Sequence, residues 1–343
     1  MFKFVAYASL FFLVISSFSD RISPLIFPYV TYFGLAFPFI FAFNILFFFF
    51  WLIIKKWKQA FVTLTVFILC KEAICTYFPI HNKAKNIPEG CIHVSTYNLM
   101  NFGCCTKHPD SILQYVANQN SDIICFQEFR LGNKQLTLSA VRNTLRATPY
   151  FFLLPCRVAV FSKYPILSTK NIPFGSRYNG ALIAELNING RKVTLINCHL
   201  ESNKILDSEK IDYYDLIQTL NVRKLGAFTY MMFHKLTPAF KIRAMQSSII
   251  AEIIRESKNP YTIICGDFND TPISFTYRKI KGDLEDSFVE SGCGMGISFN
   301  ANYFLFRIDY IFHSKNMRSY NAMVGKGEDS DHYPVQTYLQ FIN

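Results

Sequence analysis

Charge is what this sequence has least of. Asp, Glu, Lys and Arg make up only 17% of the 343 residues, against 51% hydrophobic and 17% aromatic. So apolar a chain is excluded from the disordered class, and its length excludes a disulfide-stapled miniprotein. The scarcity is uneven: Ile22 to Ile54 carries no charged side chain, and 18 of the 36 Phe fall within residues 1–80. Cysteine supplies no framework either. The 10 Cys include no C-x-x-C, Cys104 and Cys105 are adjacent, and Cys125, Cys198 and Cys265 sit in apolar runs where a free thiol behaves as a small hydrophobe. Neither a disulfide scaffold nor a zinc site follows, and residues 81–343 contain no internal repeat or low-complexity linker.

What is present divides the chain in two. Residues 1–80 read as a membrane anchor of two to three helices, in contact with the lipid bilayer. Residues 81–343 read as a separate domain holding 29 of the 35 Lys+Arg and 22 of the 24 Asp+Glu, a formal charge of +7. About 20 apolar residues cross a bilayer core, so Ile22–Ile54 is predicted to span, with room for a kink at Pro38. Ala60–Ile80 has the right length but carries Lys71 and Glu72 near its middle, which predicts a span packed against its neighbours. Phe4–Phe18 is short, either a further span or the apolar part of a signal peptide cut near Ser19. The basic cluster Lys55, Lys56, Lys58 keeps its loop cytoplasmic and puts the large domain on the extracytoplasmic side. Three spans at most make a poor pathway, which disfavours a transporter.

In the large domain, short apolar runs rich in Val, Ile, Phe and Tyr recur between turn residues. They are Cys91–Tyr97, Asp122–Phe126, Tyr150–Leu154, Arg157–Phe161, Ala181–Leu186, Lys192–Cys198, Tyr261–Cys265, Ile308–Phe312 and Val335–Leu339. Helical stretches fall near Ser111–Asn118, Lys134–Arg146 and Asp207–Ser257, the last long enough for two or three helices. Many strands with few helices point to an α/β sandwich of two packed sheets, with a parallel βαβ fold as the competitor. Asn189-Gly190 between two runs reads as a hairpin turn.

Polar residues stand repeatedly at the ends of these runs: Asn98, Gln127-Glu128, His199, Asp267 and Asn269 in Gly-Asp-Phe-Asn-Asp, Asp309, and Asp331-His332 after Ser330. Each alone is most often a turn or cap residue. The ordered series is another matter. With these residues, Ile92 to Phe341 resembles the endonuclease/exonuclease/phosphatase superfamily of metal-dependent phosphoesterases, Gly-Asp-Phe-Asn and Ser-Asp-His being the specific motifs. The resemblance implies a four-layered α/β sandwich of two mixed β-sheets with flanking helices and a site at one edge. It implies Asn98, Glu128 and Asp331 as ligands of Mg2+, with Mn2+ as a substitute. It further implies Asp267 to activate water, Asn269 as its partner in the transition state, His332 oriented by Asp309, and His199 as a second histidine. Oxygen ligands suit a hard cation.

Arg177 and Tyr178 stand where that family often contacts phosphate, although a solvated Arg beside an edge-strand Tyr reads equally well. Arg243 and Gln246, three apart, share a helix face or make ordinary surface contacts. Within Asn203–Phe240, the residues Tyr213, Tyr214, Phe228, Tyr230, Met231, Met232 and Phe233 form a lid, dock on the bilayer, or are simply core. The expected activity is hydrolysis of a phosphodiester, nuclease-like first and on a phospholipid headgroup or inositol phosphate second. A non-catalytic binding module is disfavoured because the acid, base and ligand residues are all present. Nothing points to a protein partner.

Overall fold

The computed structural model describes residues 2–101, 109–131, 137–204, 222–301, 304–327 and 330–342. Its first four helices are α1 (Phe2–Ser17), α2 (Thr31–Ile53), α3 (Trp57–Leu69) and α4 (Lys71–Tyr77). Two stretches, Phe2–Arg21 and Pro28–Ile53, are long and apolar enough to cross a membrane. The turn preceding α2 follows from Pro24 and Pro28, which deny the backbone the donors a continuous helix would need.

The third expected segment is not one straight span. α3 and α4 meet near Cys70 at a bend of 70°. Just past the bend, Glu72 pairs with Arg21 at 3.1 Å and with Arg278 at 3.3 Å, and Arg278 also pairs with Asp20 at 3.2 Å.

Two six-stranded sheets build the large domain. Sheet one runs β13 (Met317–Val324), β14 (Val335–Phe341), β1 (Ile92–Asn98), β2 (Ile123–Gln127), β4 (Ala159–Ser162), β3 (Tyr150–Leu153). Sheet two runs β5 (Ile166–Pro173), β6 (Gly180–Ile188), β7 (Arg191–His199), β8 (Tyr261–Asp267), β12 (Asp309–His313), β9 (Glu285–Asp286). β10 (Phe299–Ala301) and β11 (Phe304–Phe306) form a separate hairpin. β1–β2 and β7–β8 are parallel while their neighbours are antiparallel, which sets aside the purely parallel βαβ competitor. At Asn189-Gly190 both φ angles are positive, +52° and +84°, and the pair turns β6 into β7 as the sequence predicts.

The inner core lies between the sheets, where Val94, Cys125 and Val160 of one meet Leu182, Ala184, Leu195 and Cys265 of the other. On the outer face of sheet one sit α5 (Pro109–Asn118) and α6 (Leu138–Thr144), burying Ile112, Leu113 and Val141 against Phe126 and Phe161. On the outer face of sheet two sit α7 (Val222–Glu256) and α8 (Phe275–Lys281), burying Ile250, Tyr277 and Ile280 against Ile264 and Phe312. α9 (Ser287–Ser291) completes the described helices. The central strands are covered on both faces, so they read as unbroken apolar runs. The long predicted helical region becomes one helix among the described residues; 207–221 lie outside them, as do Lys134–Leu136 of the region predicted before α6.

The N-terminal helices and the sandwich touch closely. A Cβ at Gly34 would stand 2.1 Å from the carbonyl oxygen of Ile273, so this position needs glycine. Tyr32 packs on Phe233 and Phe240 of α7 with ring centres 4.3 and 5.3 Å away, and its hydroxyl lies 2.8 Å from that of Thr237.

Candidate active site

Register brings the polar strand ends together. In the parallel pairs β1–β2 and β7–β8 the C-terminal ends lie side by side, so Asn98 neighbours the Gln127-Glu128 corner and His199 stands opposite Asp267. Antiparallel β12 then begins with Asp309 opposite Asp267. Glu128 and Asn269 leave their strands with positive φ, +53° in each, turning both side chains at the strand edge. Such a backbone is uncommon for a glutamate and belongs to the strained geometry that functional sites retain.

Asp267 is the hub. Its Oδ2 accepts from Asn98 Nδ2 at 2.9 Å and Asn269 Nδ2 at 3.1 Å, while its Oδ1 accepts the Asn269 backbone N–H at 2.8 Å. His199 Nε2 stands 3.8 Å away and His332 Nε2 3.7 Å away. Burial, with Asp309 adding a like charge, pushes the Asp267 carboxyl up to about 6, against the pull of His332, His199 and Asn98. For His332 burial disfavours charge. Asp309 and Asp267, the 2.9 Å hydrogen bond to Asp309 and nearby Asp331 outweigh it and push the ring up to about 10. His332 is therefore an imidazolium at neutral pH. His199 Nδ1 donates to the carbonyl of Tyr178 at 2.9 Å, which leaves a buried Nε2 with no hydrogen-bond partner among the described residues, 3.7 Å from Glu128.

The predicted residues Asn98, Glu128, His199, Asp267, Asn269, Asp309 and His332 thus converge, and Asp331 lines the same pocket as Glu128 and His332. Tyr178 reaches the site through its carbonyl; its exposed ring lies under the Arg157 guanidinium at 4.5 Å. Arg177 is exposed and does not line this pocket. Arg243 is wholly buried, donating to the Glu201 carbonyl and Asn203 Oδ1, both at 2.8 Å, and to Asp270 at 3.2 Å. Gln246 on the same face accepts from the Glu201 N–H at 2.9 Å, so the pair pins the loop after β7, and the surface alternative falls away.

Other supporting groups escape sequence reasoning because nothing local marks them. Ser298 donates to Asp309 at 2.7 Å. Gln127 donates to Asn197 at 2.6 Å across the two sheets, and Ser330 donates to the Asn98 carbonyl at 2.9 Å.

Residues 95–332 match the model of a family described as Endonuclease/Exonuclease/phosphatase family. The chain belongs to this family. Residues 1–77 match a second model, described as a domain of unknown function. Among curated proteins nothing matches the chain. Solved structures share the fold. An endonuclease/exonuclease/phosphatase family protein from Bacteroides thetaiotaomicron has a TM-score of 0.52 at 17% identity, covering 75% of this chain and 100% of its own. TDP2 from D. rerio, complexed with a single-strand DNA product, has 0.51 at 15%, covering 74% and 100%. Bacteroides thetaiotaomicron mannosyl-6-phosphatase has 0.50 at 17%, covering 73% and 100%.

Endonuclease/exonuclease/phosphatase enzymes are hydrolases of phosphoester bonds and generally depend on a divalent metal. The donor set fits a hard cation: the partly exposed Glu128 carboxylate opens on the pocket beside Asp267 and Asp331, and Asp309 Oδ1 is buried with no hydrogen-bond partner among the described residues. Asp267, Asp309 and His332 also bring ligand atoms within 4.8 Å of one another. Within that trio the His332 Nδ1 is committed to Asp309, so the oxygen donors around Glu128 are the better match for a hard cation.

Proposed function

We propose that this chain is a membrane-anchored hydrolase of phosphodiester bonds working with Mg2+, or Mn2+ in its place. One observation carries the reading. A buried carboxylate raised to about 6 stands between two histidine rings, 3.7 and 3.8 Å away, and a base near the working pH is what water activation requires. Glu128, Asn98 and Asp331 would hold the cation, which when bound offsets charge on the phosphoryl oxygens and polarises the leaving group. Asp267 takes the proton of the water attacking phosphorus. Asn269, its amide fixed on the Leu200 carbonyl at 3.1 Å and on Asp267, steadies that carboxylate. His332, held by Asp309, offers its Nε2–H to a phosphoryl oxygen, and His199 presents Nε2 from the opposite flank of Asp267.

The anchor reading is supported by the two long apolar helical stretches. Both the α1–α2 connection and α4 meet the catalytic domain, through Asp20 and Glu72 on Arg278. Lys55, Lys56 and Lys58 then lie past the far end of α2, where the chain turns into α3, which favours an extracytoplasmic catalytic domain. The test is Mg2+-dependent release of 4-nitrophenolate from bis(4-nitrophenyl) phosphate by the full chain. Glu128→Gln and His332→Ala should each lower it at least about a hundredfold, and an unchanged rate in either would refute this site.

A further inference from the structure

We infer that the phosphoester hydrolysed here carries a long apolar chain, as a membrane lipid does, and that α7 together with α2 receives that chain. This rests on the phosphodiesterase reading above. The pocket over Asp267 and His332 has an apolar wall made of Leu35 from α2 and Met232, Leu236 and Phe240 from α7, in addition to Phe299, Phe306 and Ile308 elsewhere in its lining. The three α7 residues are four apart, so they stack along one side of the helix. One turn further the same side carries Arg243 into the pocket, where its buried Nη2 has no partner among the described residues. A stripe of apolar side chains leading to an unfilled guanidinium donor matches a molecule with a tail at one end and a phosphate at the other.

Charge argues the same way. Besides His332, the described cations lining the pocket are two, Lys204, paired with Glu201 at 2.6 Å, and Arg243, which keeps its Nη2 open beside the 3.2 Å pair with Asp270. A nucleic acid is held by a row of cations along its backbone, and such a row is missing from the described lining.

Continuity with the anchor identifies the occupant's source. Leu35 sits near the start of a helix long and apolar enough to cross a membrane. Beyond Met232, α7 exposes Tyr230 at 68%, and Phe233 packs on Tyr29 with ring centres 6.1 Å apart. Close to Tyr29 the connection before α2 exposes Ile26 at 83%. Leu35 and the Phe233–Tyr29 contact thus link the wall of the pocket to the anchor, the route by which a lipid tail would keep out of water from bilayer to phosphate.

The probes are methyl, butyl and octyl esters of 4-nitrophenyl phosphate, given with Mg2+ to the full-length chain in nanodiscs. In each the water oxygen bonds to phosphorus, the aryl P–O bond breaks, 4-nitrophenolate leaves and the water proton passes to Asp267. Burial of one methylene supports up to about fourfold in binding. The kcat/KM should therefore climb at least about tenfold from methyl to octyl. Met232→Asp, at a half-buried position, should flatten that climb, Met232→Leu should keep it, and Leu35→Ser should reduce it from the α2 side. Partition of the esters into lipid would raise all variants alike, so a climb unaltered in Met232→Asp overturns the inference, as does a flat series in the parent chain. Faster cleavage of a single-stranded oligonucleotide than of the octyl ester overturns it in favour of nucleic acid. Release from none of the three esters would overturn the phosphodiesterase reading as well.

Discussion

The Nδ1 of His332 and the Oδ2 of Asp309 lie 2.9 Å apart, and that same oxygen accepts the Ser298 hydroxyl at 2.7 Å. The carboxylate is therefore held against the ring, and its charge is the largest single contribution to keeping the imidazolium protonated. Asp309→Asn preserves the shape but removes the charge. It should lower kcat by about 10²–10⁴, and the descending limb of the pH–rate profile should move down from about 10. A limb that stays in place would show that Asp309 is not what holds the proton.

The rising limb belongs to Asp267. With its carboxyl raised to about 6, kcat/KM should increase with pH through that value and level off above it. Asp267→Asn should remove both the limb and the activity, measured as a pH profile of 4-nitrophenolate release.

Stability should follow pH in two windows. The folded His332 value, about 10, lies above its ordinary 6.5, so the charged ring stabilises the fold fully below 6.5 and that contribution disappears as pH rises through 10. For Asp267 the folded value of about 6 exceeds the ordinary 3.8; its ionisation works against the fold, and stability falls as pH rises from 3.8 through 6. Melting temperature should drop more steeply between about pH 7 and 9.5 in the parent chain than in His332→Gln.

Arg243→Ala should be severe for stability, apart from the donor it takes from the pocket. It strands Asp270, which among the described residues keeps only Thr276 as a side-chain partner, at 2.8 Å, and it frees the loop after β7. Breaking a buried pair from one side costs about 3–5 kcal/mol, to be read from urea unfolding.

Sidedness has a direct chemical assay. A chain keeping only the exposed Cys293 should react with a membrane-impermeant maleimide in intact cells, while one whose single cysteine comes from Lys56→Cys should react only after permeabilisation. The reverse pattern would invert the topology.

The seven converging site residues were legible because each stands at or near the end of a buried strand, where a polar side chain interrupts an apolar run. The pairings of Arg243 with Asp270 and Asn203, and of Ser298 with Asp309, were not, because these partners lie 27, 40 and 11 positions apart and only the fold brings them together. Edge strands were lost for a similar reason: β5 is largely exposed and lacks alternation, and β13 carries an irregularity between Tyr320 and Met323. Hydropathy reads Ala60–Ile80 as one straight segment, whereas α3 and α4 are a bent pair, because an average over a window does not register where a helix breaks.

The left-handed backbone at Glu128 carries a lesson for anyone engineering this protein. Glycine would adopt that conformation freely, whereas a residue with a Cβ is penalised by roughly 1–2 kcal/mol. A library screened for heat resistance alone would therefore welcome glycine at 128 and return tougher, inert survivors. Selection here has to reward turnover and durability together.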